Sequence, residues 1–248
     1  RYRDDEISPL LNPIEEDEVK IALGKQKSKA ASTSGLSPWD LRQISENIAK
    51  PLTTVFNSFL CNSAFAKEWL ESKTFFLHKK GSKSDPNNYR MINIQNPFLK
   101  TFSTILARRL SDYAEENNLL PWFQFGFRRR RSTVSAASLL HEVAHSRLNN
   151  SKRTYACFID FSKAFDKIDR TLLFRKLQQM SIPFKFCATL FQIFNETRIY
   201  IQSGQYLADS FCSNIGTPQG DATAAILFSL FLSDIGQWIP DIGPLLNG

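Results

Sequence analysis

The sequence predicts an α+β fold, and three observations carry that prediction. Segments with apolar residues three and four apart, the period of a one-sided helix, are interspersed with segments that read as strands. The two kinds follow no steady strand-helix-strand rhythm and no internal repeat divides the 248 residues. With 42% hydrophobic and 22% charged residues, the chain can bury one large core or two modest ones and is not composed like a disordered segment.

In chain order, "SPLLNPIEEDEVKIALGKQ" reads as a helix with Asn12 before Pro13 at its first turn, acids crowding that turn, and a stripe of Ile14, Val19, Ala22 and Leu23. Ser28 to Ser37, rich in small polar residues, is a loop. Helices are expected from Trp39 to Ile48, Pro51 to Cys61, Phe98 to Asn117 and Thr133 to Leu148. Between them "KTFFLHKK" (73–80) reads as a strand and "GSKSDPNNYR" (81–90) as a turn. The apolar "YACFIDF" (155–161) reads as a buried strand. Asp169 then caps an amphipathic helix, "RTLLFRKLQQM", that stops near Pro183. Residues 198–216 alternate around Ser203-Gly204 as a hairpin does, and "ATAAILFSLFLSDIGQW" (222–238) is expected to be one largely buried helix.

Thirty-one Lys and Arg against twenty-four Asp and Glu leave a formal charge of +7, and the excess is local. Asp4 to Glu18 is acidic, while "LHKKGSK" (77–83) and "FRRRRST" (127–133) are basic, a distribution that suits a polyanionic partner as well as a solvated surface. Cys61, Cys157, Cys187 and Cys212 form no Cys-x-x-Cys pair and mostly sit in apolar surroundings, as reduced core thiols do. An intracellular location, nucleus or cytoplasm rather than secretion, is therefore expected. No apolar run reaches the roughly eighteen residues of a membrane span, and no membrane partner is expected. The first residue is Arg1 rather than Met, which suggests a piece of a longer protein. His141-Glu142-Val143-Ala144-His145 matches H-E-x-x-H, but a catalytic zinc needs a third protein ligand that the following "SRLNNSK" does not offer. The pair reads as the solvent face of an amphipathic helix.

One residue resists this reading. Asp160 ends an apolar strand-like run, and burying an unpaired carboxylate costs several kcal/mol, so it needs a partner. Further along the chain comes "NIGTPQGDATAAILF" (214–228), a Gly-x-Pro-Gln-Gly turn leading into a helix. An Asp at a strand end with an aromatic soon after, followed by such a turn, resembles motifs A and B of reverse transcriptases. "LHKKGSKSDPNNYRMINI", "KTFSTILARRL", "QFGFRRRRST" and "DFSKAFDKIDRTLLFRKL" resemble the polymerase domain of non-LTR (LINE- or jockey-like) retrotransposons, in order from about Ile14 onward.

The resemblance implies a right-hand polymerase fold of fingers (about 1–105 and 168–214) and an incomplete palm (about 106–167 and 215–248), without a thumb. It implies an RNA-directed DNA polymerase that takes an RNA template, a DNA primer and dNTPs, and transfers nucleotides with two Mg²⁺ ions held by carboxylates. Asp160 would be the catalytic metal ligand, which supplies its missing partner, and the Phe161 main-chain carbonyl a second ligand. Phe165 would exclude the 2'-hydroxyl of the incoming sugar, or else be an ordinary core aromatic. Lys79 or Lys80, with Arg90, would grip the triphosphate. Gln219 would lie under the base and sugar, with Gly216 and Gly220 letting the backbone approach the template and nucleotide closely. Phe125, Phe127, Arg128, Arg129, Arg130 and Arg131 would line the template path. Asp166 and Asp169 read as capping or structural acids.

The chain departs from the family pattern at "KAASTSG" (29–35), "YRMIN" (89–93) and "ATAA" (222–225), each a change in loop chemistry. No Asp-Asp pair occurs beyond position 5, so the sequence reads as truncated before the family's Tyr/Phe-x-Asp-Asp hairpin, and residues 1–248 alone are expected not to extend a primer. The rival reading is a nucleic-acid-binding remnant without catalysis. A group II intron-like maturase fits the "FSKAFD" and "GFRRRRST" wording less well.

Overall fold

A run of well-capped helices builds the core. The computed structural model describes residues 8–62, 64–218 and 220–238. α1 (Glu16–Gly24) has an acidic first turn, and the Glu18 carboxylate accepts the Glu15 N–H at 3.2 Å. It begins later than Asn12-Pro13 suggests, because a short 3-10 turn (Pro9–Leu11) comes first, capped by the Ser8 hydroxyl. α2 (Pro38–Gln43) opens on a capping box between Ser37 and Asp40. α3 (Ser45–Asn62) then runs through Pro51, where the sequence suggests a break. The carbonyl that Pro51 leaves without an intrahelical donor belongs to exposed Asn47. α4 (Pro97–Glu116) starts at an Asn96 cap and α5 (Thr133–Asn149) at a Ser132 cap, both close to expectation. α6 (Arg170–Gln179) follows the Asp169 cap, whose carboxylate accepts the Leu172 N–H at 2.9 Å. α7 (Phe184–Glu196) lies where no element was expected. The last expected helix divides into α8 (Ala224–Phe231) and the short α9 (Ile235–Trp238).

The sheet is mixed. β1 (Glu71–His78) pairs antiparallel with β2 (Tyr89–Gln95) and parallel with β3 (Arg198–Ser203); β3 also pairs antiparallel with β4 (Tyr206–Leu207) and β5 (Phe211–Cys212). The order is β2-β1-β3-β4, with β5 joined to β3. Register sets the faces: Ser72, Thr74 and Phe76 stand opposite Gln95, Asn93 and Met91, while Leu77 stands opposite Arg90.

One hydrophobic core gathers residues from all the larger helices except α5. α1 packs on α3 and α4, α6 packs on α7 and α8, and the contacts of α3 with α7 and of α4 with α8 join the two groups. Phe56, Phe59, Phe65, Trp69, Phe98 and Phe102 form a chain of ring contacts, with Phe56 and Phe102 at 5.2 Å and Trp69 stacked on Phe98 at 4.8 Å. Arg109 ties the N-terminal segment to α4: it donates to both Glu18 carboxylate oxygens, at 2.9 and 2.6 Å, and to the carbonyls of Leu10, Asn12 and Pro13. Burial alone would raise the Glu18 carboxyl, but the Arg109 hydrogen bonds and charge outweigh it and hold its pKa below the usual carboxylate range.

Two expectations need correction. Residues 155–161 form no strand and are not buried: Tyr155 is 85% and Phe158 86% exposed, and no strand among the described residues pairs with them. An apolar alternating run supplies the propensity for a strand, but a strand also needs a neighbour to bond. The cysteines are not core thiols as a set, because Cys187 is buried whereas Cys61, Cys157 and Cys212 are exposed. Among the described residues no helix is long and apolar enough to cross a membrane.

Candidate active site

Three stretches far apart in sequence meet at one place: β2, the turn around Phe165, and the turn that leads into α8. The Gly216 N–H donates to the Ile168 carbonyl and the Thr217 N–H to the Phe165 carbonyl, both at 2.8 Å. A Cβ on Gly216 would lie 2.6 Å from the Asp166 carbonyl oxygen, and one on Gly220 would lie 2.6 Å from that of Asn93. Both glycines have positive φ, +73° and +114°. Their missing side chains therefore let this turn rest on the protein's own backbone, on the Phe165 turn at one end and on β2 at the other.

Asp221, 7% exposed, completes the junction. Its carboxylate accepts from Gln95 Nε2 at 2.7 Å, from the Thr223 N–H at 2.7 Å and from the Thr223 hydroxyl. Nearby Lys100 on α4 has its pKa lowered by burial, against the opposing pull of the Asp221 charge. Sequence reading missed this polar group. Its signal was the Gln95-Asn96 pair at the end of a strand, two polar residues where a core position follows.

The strongest anchor was missed as well. Arg170, 4% exposed at the first position of α6, donates through Nε to the Gly216 carbonyl at 2.7 Å. Its other nitrogens reach the carbonyls of Phe194 (2.8 Å), Ser213 and Ile215 (3.2 Å) and the Asn195 side-chain oxygen (2.8 Å). Burial lowers its pKa, but an arginine remains charged. The guanidinium also lies 5.7 Å from the Phe194 ring centre.

The expected site residues are placed as follows. Phe165 sits in a 3-10 turn (Phe165–Lys167), half-buried, with its ring 4.9 Å from Phe228 on α8 and 6.4 Å from Phe127. Phe161 meets the same Phe228 at 6.4 Å. Motif A, motif B and the basic loop are thus brought together by aromatic contacts. Lys163, at φ +55°, donates to Asn87 at 3.1 Å and links this loop to the β1–β2 turn. Asp160 is exposed on the irregular segment before Phe161. Lys79 closes the hairpin through its N–H, which donates to the Asn88 carbonyl at 2.8 Å, and Lys80 is exposed beside it. Arg90 is exposed on β2, and strand alternation puts it on the face opposite Met91 and Asn93. Gln219 lies outside the described residues.

The basic loop is less uniform than its sequence. Arg128 donates to both oxygens of Glu115, at 2.8 and 2.5 Å, and to the Pro121 carbonyl, so its guanidinium is engaged within the fold. The Arg128 hydrogen bond also keeps the Glu115 pKa low. Arg129 pairs with Asp112 at 2.8 Å, and Arg131 donates to the Trp122 carbonyl and lies over Phe125 at 5.1 Å. Arg130, at φ +58°, is exposed and has no ion-pair partner among the described residues. His141 and His145 stack at 6.1 Å on exposed positions of α5.

No three His, Cys, Asp or Glu side chains among the described residues gather into a group that could hold a metal ion. Asp160 and the Phe161 carbonyl are hard oxygen donors of the kind magnesium takes, but alone they do not make a two-ion centre.

Residues 77–242 match the reverse transcriptase (RNA-dependent DNA polymerase) family. The chain is 25% identical over 232 residues to a probable RNA-directed DNA polymerase from transposon BS of Drosophila melanogaster, covering 93% of this chain and 26% of that protein. Similarity to the RNA-directed DNA polymerase from mobile element jockey of the same species is 26% over 242 residues, covering 95% and 26%. A retrovirus-related Pol polyprotein from a type-1 retrotransposable element R2 of Nasonia vitripennis is 24% identical over 243 residues, covering 98% and 23%. The chain spans about a quarter of the length of these relatives. The matched region takes in the β1–β2 turn, the basic loop, the Phe165 turn and the turn into α8, and the chain belongs to the reverse transcriptase family.

Proposed function

We propose that the protein carrying this chain is an RNA-directed DNA polymerase that extends a DNA primer along an RNA template, inside the cell in nucleus or cytoplasm. In this reading residues of about 1–105 and 168–214 serve as fingers, and about 106–167 and 215–248 as part of the palm, of a right-hand polymerase. The family match over residues 77–242 carries the proposal. The meeting of the Phe165 turn and the turn into α8 on β2 supports it, because it brings two of the candidate nucleotide contacts, Phe165 and Gly220, from separate segments to one place.

The roles follow from the chemistry of the side chains. Asp160 and the Phe161 carbonyl are oxygen donors toward Mg²⁺, and no group of three His, Cys, Asp or Glu side chains among the described residues completes the set. Bound metal ions would supply charge neutralisation at the transferred phosphate. Phe165, held between Phe228 and Phe127, meets the sugar and excludes a 2'-hydroxyl by bulk. Arg90 and Lys79 or Lys80 take the triphosphate, and Gly220 meets the base and sugar, a role the family resemblance also gives to Gln219. Phe125, Phe127, Arg129, Arg130 and Arg131 offer ring faces and cations to the template. Arg128 acts there indirectly, by fixing the loop to Glu115.

The test is dNTP incorporation on a primed RNA template by the protein carrying this chain, run beside Asp160→Ala. Incorporation that falls to background in the variant is the expected result. Full incorporation by Asp160→Ala would remove the basis of the reading, and template binding with no incorporation by the unsubstituted protein would favour the non-catalytic remnant.

A further inference from the structure

The turn at 213–218 borders a cavity of about 160 Å³ whose lining includes Thr74, Met91 and Asn93 of the sheet, Gly216 and Thr217 of the turn, and Arg170 itself. Past the cavity, Gly220 rests on the Asn93 backbone of β2. The turn itself is fastened to the Phe165 turn by the two backbone hydrogen bonds at Gly216 and Thr217, and to the start of α6 by Arg170. The oxygens that Arg170 bonds among the described residues are all neutral, four carbonyls and one amide, drawn from residues 194–195 and 213–216.

That arrangement is specific to a guanidinium. A planar fork of five donors on three nitrogens meets five oxygens spread over two segments, more than the three N–H groups of a lysine ammonium can reach from a single nitrogen. An apolar residue of the same size would leave the buried Gly216 carbonyl without its side-chain donor, a cost that falls on the turn itself. Arg170 also follows directly on the Asp169 cap, so its backbone is fixed before its side chain reaches out.

We infer that Arg170 is a positioning residue for the incoming nucleotide: it locks the turn at 213–218 onto the Phe165 turn, so that the surface meeting the base and the surface meeting the sugar stay in one register. The inference rests on the proposed assignment of Phe165 and the 216–220 turn to the nucleotide. Arg170 touches no reacting atom. It acts by setting how far Phe165 stands from the turn that follows it in space, which is the distance that sugar discrimination depends on.

Arg170→Lys and Asn195→Ala separate this role from general stability. In the chain itself, hydrogen exchange at the Gly216 and Thr217 amides should quicken by about tenfold or more in Arg170→Lys, while α4 amides keep their protection. In the natural-length protein, the KM for dNTP should rise about tenfold and preference over rNTP should fall, with the KM for primed template unchanged. Asn195→Ala, which removes one acceptor and keeps the guanidinium, should shift the same quantities in the same direction by less, and it decides the matter if Arg170→Lys does not fold. A uniform loss, with exchange faster everywhere and both KM values moved together, makes Arg170 only a structural residue and overturns the inference. If Asp160→Ala abolishes incorporation while the Arg170 and Asn195 variants leave dNTP KM and local exchange unchanged, this inference fails alone. If Asp160→Ala still incorporates, the proposed function fails first.

Discussion

The helical layer of α1, α3 and α4 and the belt from Trp122 to Phe161 both carry large apolar side chains, yet they end in opposite environments. In the layer, Phe56 and Phe102 are fully buried among other rings. In the belt, α5 buries no residue, and Val134, Leu148, Tyr155 and Phe158 are all largely exposed. α4 and α5 have similar lengths and both begin at well-formed caps. What separates them is a partner: α4 meets α1, α2 and α8, whereas α5 makes no comparable contact with any described element. Local sequence makes the helix, and only a second surface makes the core.

That contrast is sharpest for a matched pair of truncations. Phe56→Ala should cost about 3–5 kcal/mol, because it opens a cavity among rings that cannot close in. Phe158→Ala should stay within about 0.5 kcal/mol, as surface changes do. Urea melts of the two variants measure this directly, and a costly Phe158→Ala would mean that the belt is covered in solution.

A smaller effect tests how the layer holds its N-terminal segment. Glu18→Gln should lose about 1–3 kcal/mol at neutral pH, as expected for a part-buried hydrogen bond to a charged group. The Glu18 pKa is lower in the folded chain than in the unfolded one, so its contribution is present above the unfolded value and disappears as pH falls through the folded one. The gap in melting temperature between the two proteins should therefore close in acid. A gap that persists there would assign the loss to packing instead of charge.

The smallest expected effect lies in the belt. Arg130→Ala should leave the melt unchanged, since no ion pair is lost among the described residues, while lowering the salt slope of single-stranded nucleic acid binding by about 0.7. Arg128→Ala should do the reverse, weakening the fold through Glu115 while changing the slope little. Filter-binding titrations across salt concentrations separate the two arginines. Equal slopes for both variants and the unsubstituted chain would mean that the loop does not meet phosphate.

Much of the fold was legible locally. Asp169 announces the start of α6 because a cap is written within four residues of the helix it opens, and apolar spacing placed α4 and α5, whose Asn96 and Ser132 caps the structure adds. The first strand of the β1–β2 hairpin and its turn were legible, since Asp85-Pro86 supplies that turn, whereas β2 was not read as a strand. Phe165 and Gly220 were found as motif members, and the two segments that carry them do meet, with β2 beside them. The exposure of Phe158 and the burial of Arg170 were not legible. Each depends on surfaces distant in sequence: a pairing strand in one case, and carbonyls at 194 and 213–216 in the other. Arg170 reads locally as one more charge at the start of an amphipathic helix, and nothing beside it says that five oxygens will surround it.

The parallel pairing of β1 with β3 has a consequence in time. Tyr200 reaches Glu71 at 3.3 Å across 129 residues of sequence, so the middle of the sheet cannot form until most of the chain exists. The helices and the β1–β2 hairpin assemble from neighbours, but this pair must first close a long loop, which makes it the slow and entropically costly contact of the fold. A ribosome adding about 5–20 residues per second leaves β1 waiting on the order of ten seconds for its second neighbour. Throughout that interval the inner strand of the finished sheet is an open edge over Glu71 to Thr74, the residues that β3 later pairs, and it is there that a nascent chain of this protein is most exposed to wrong pairing.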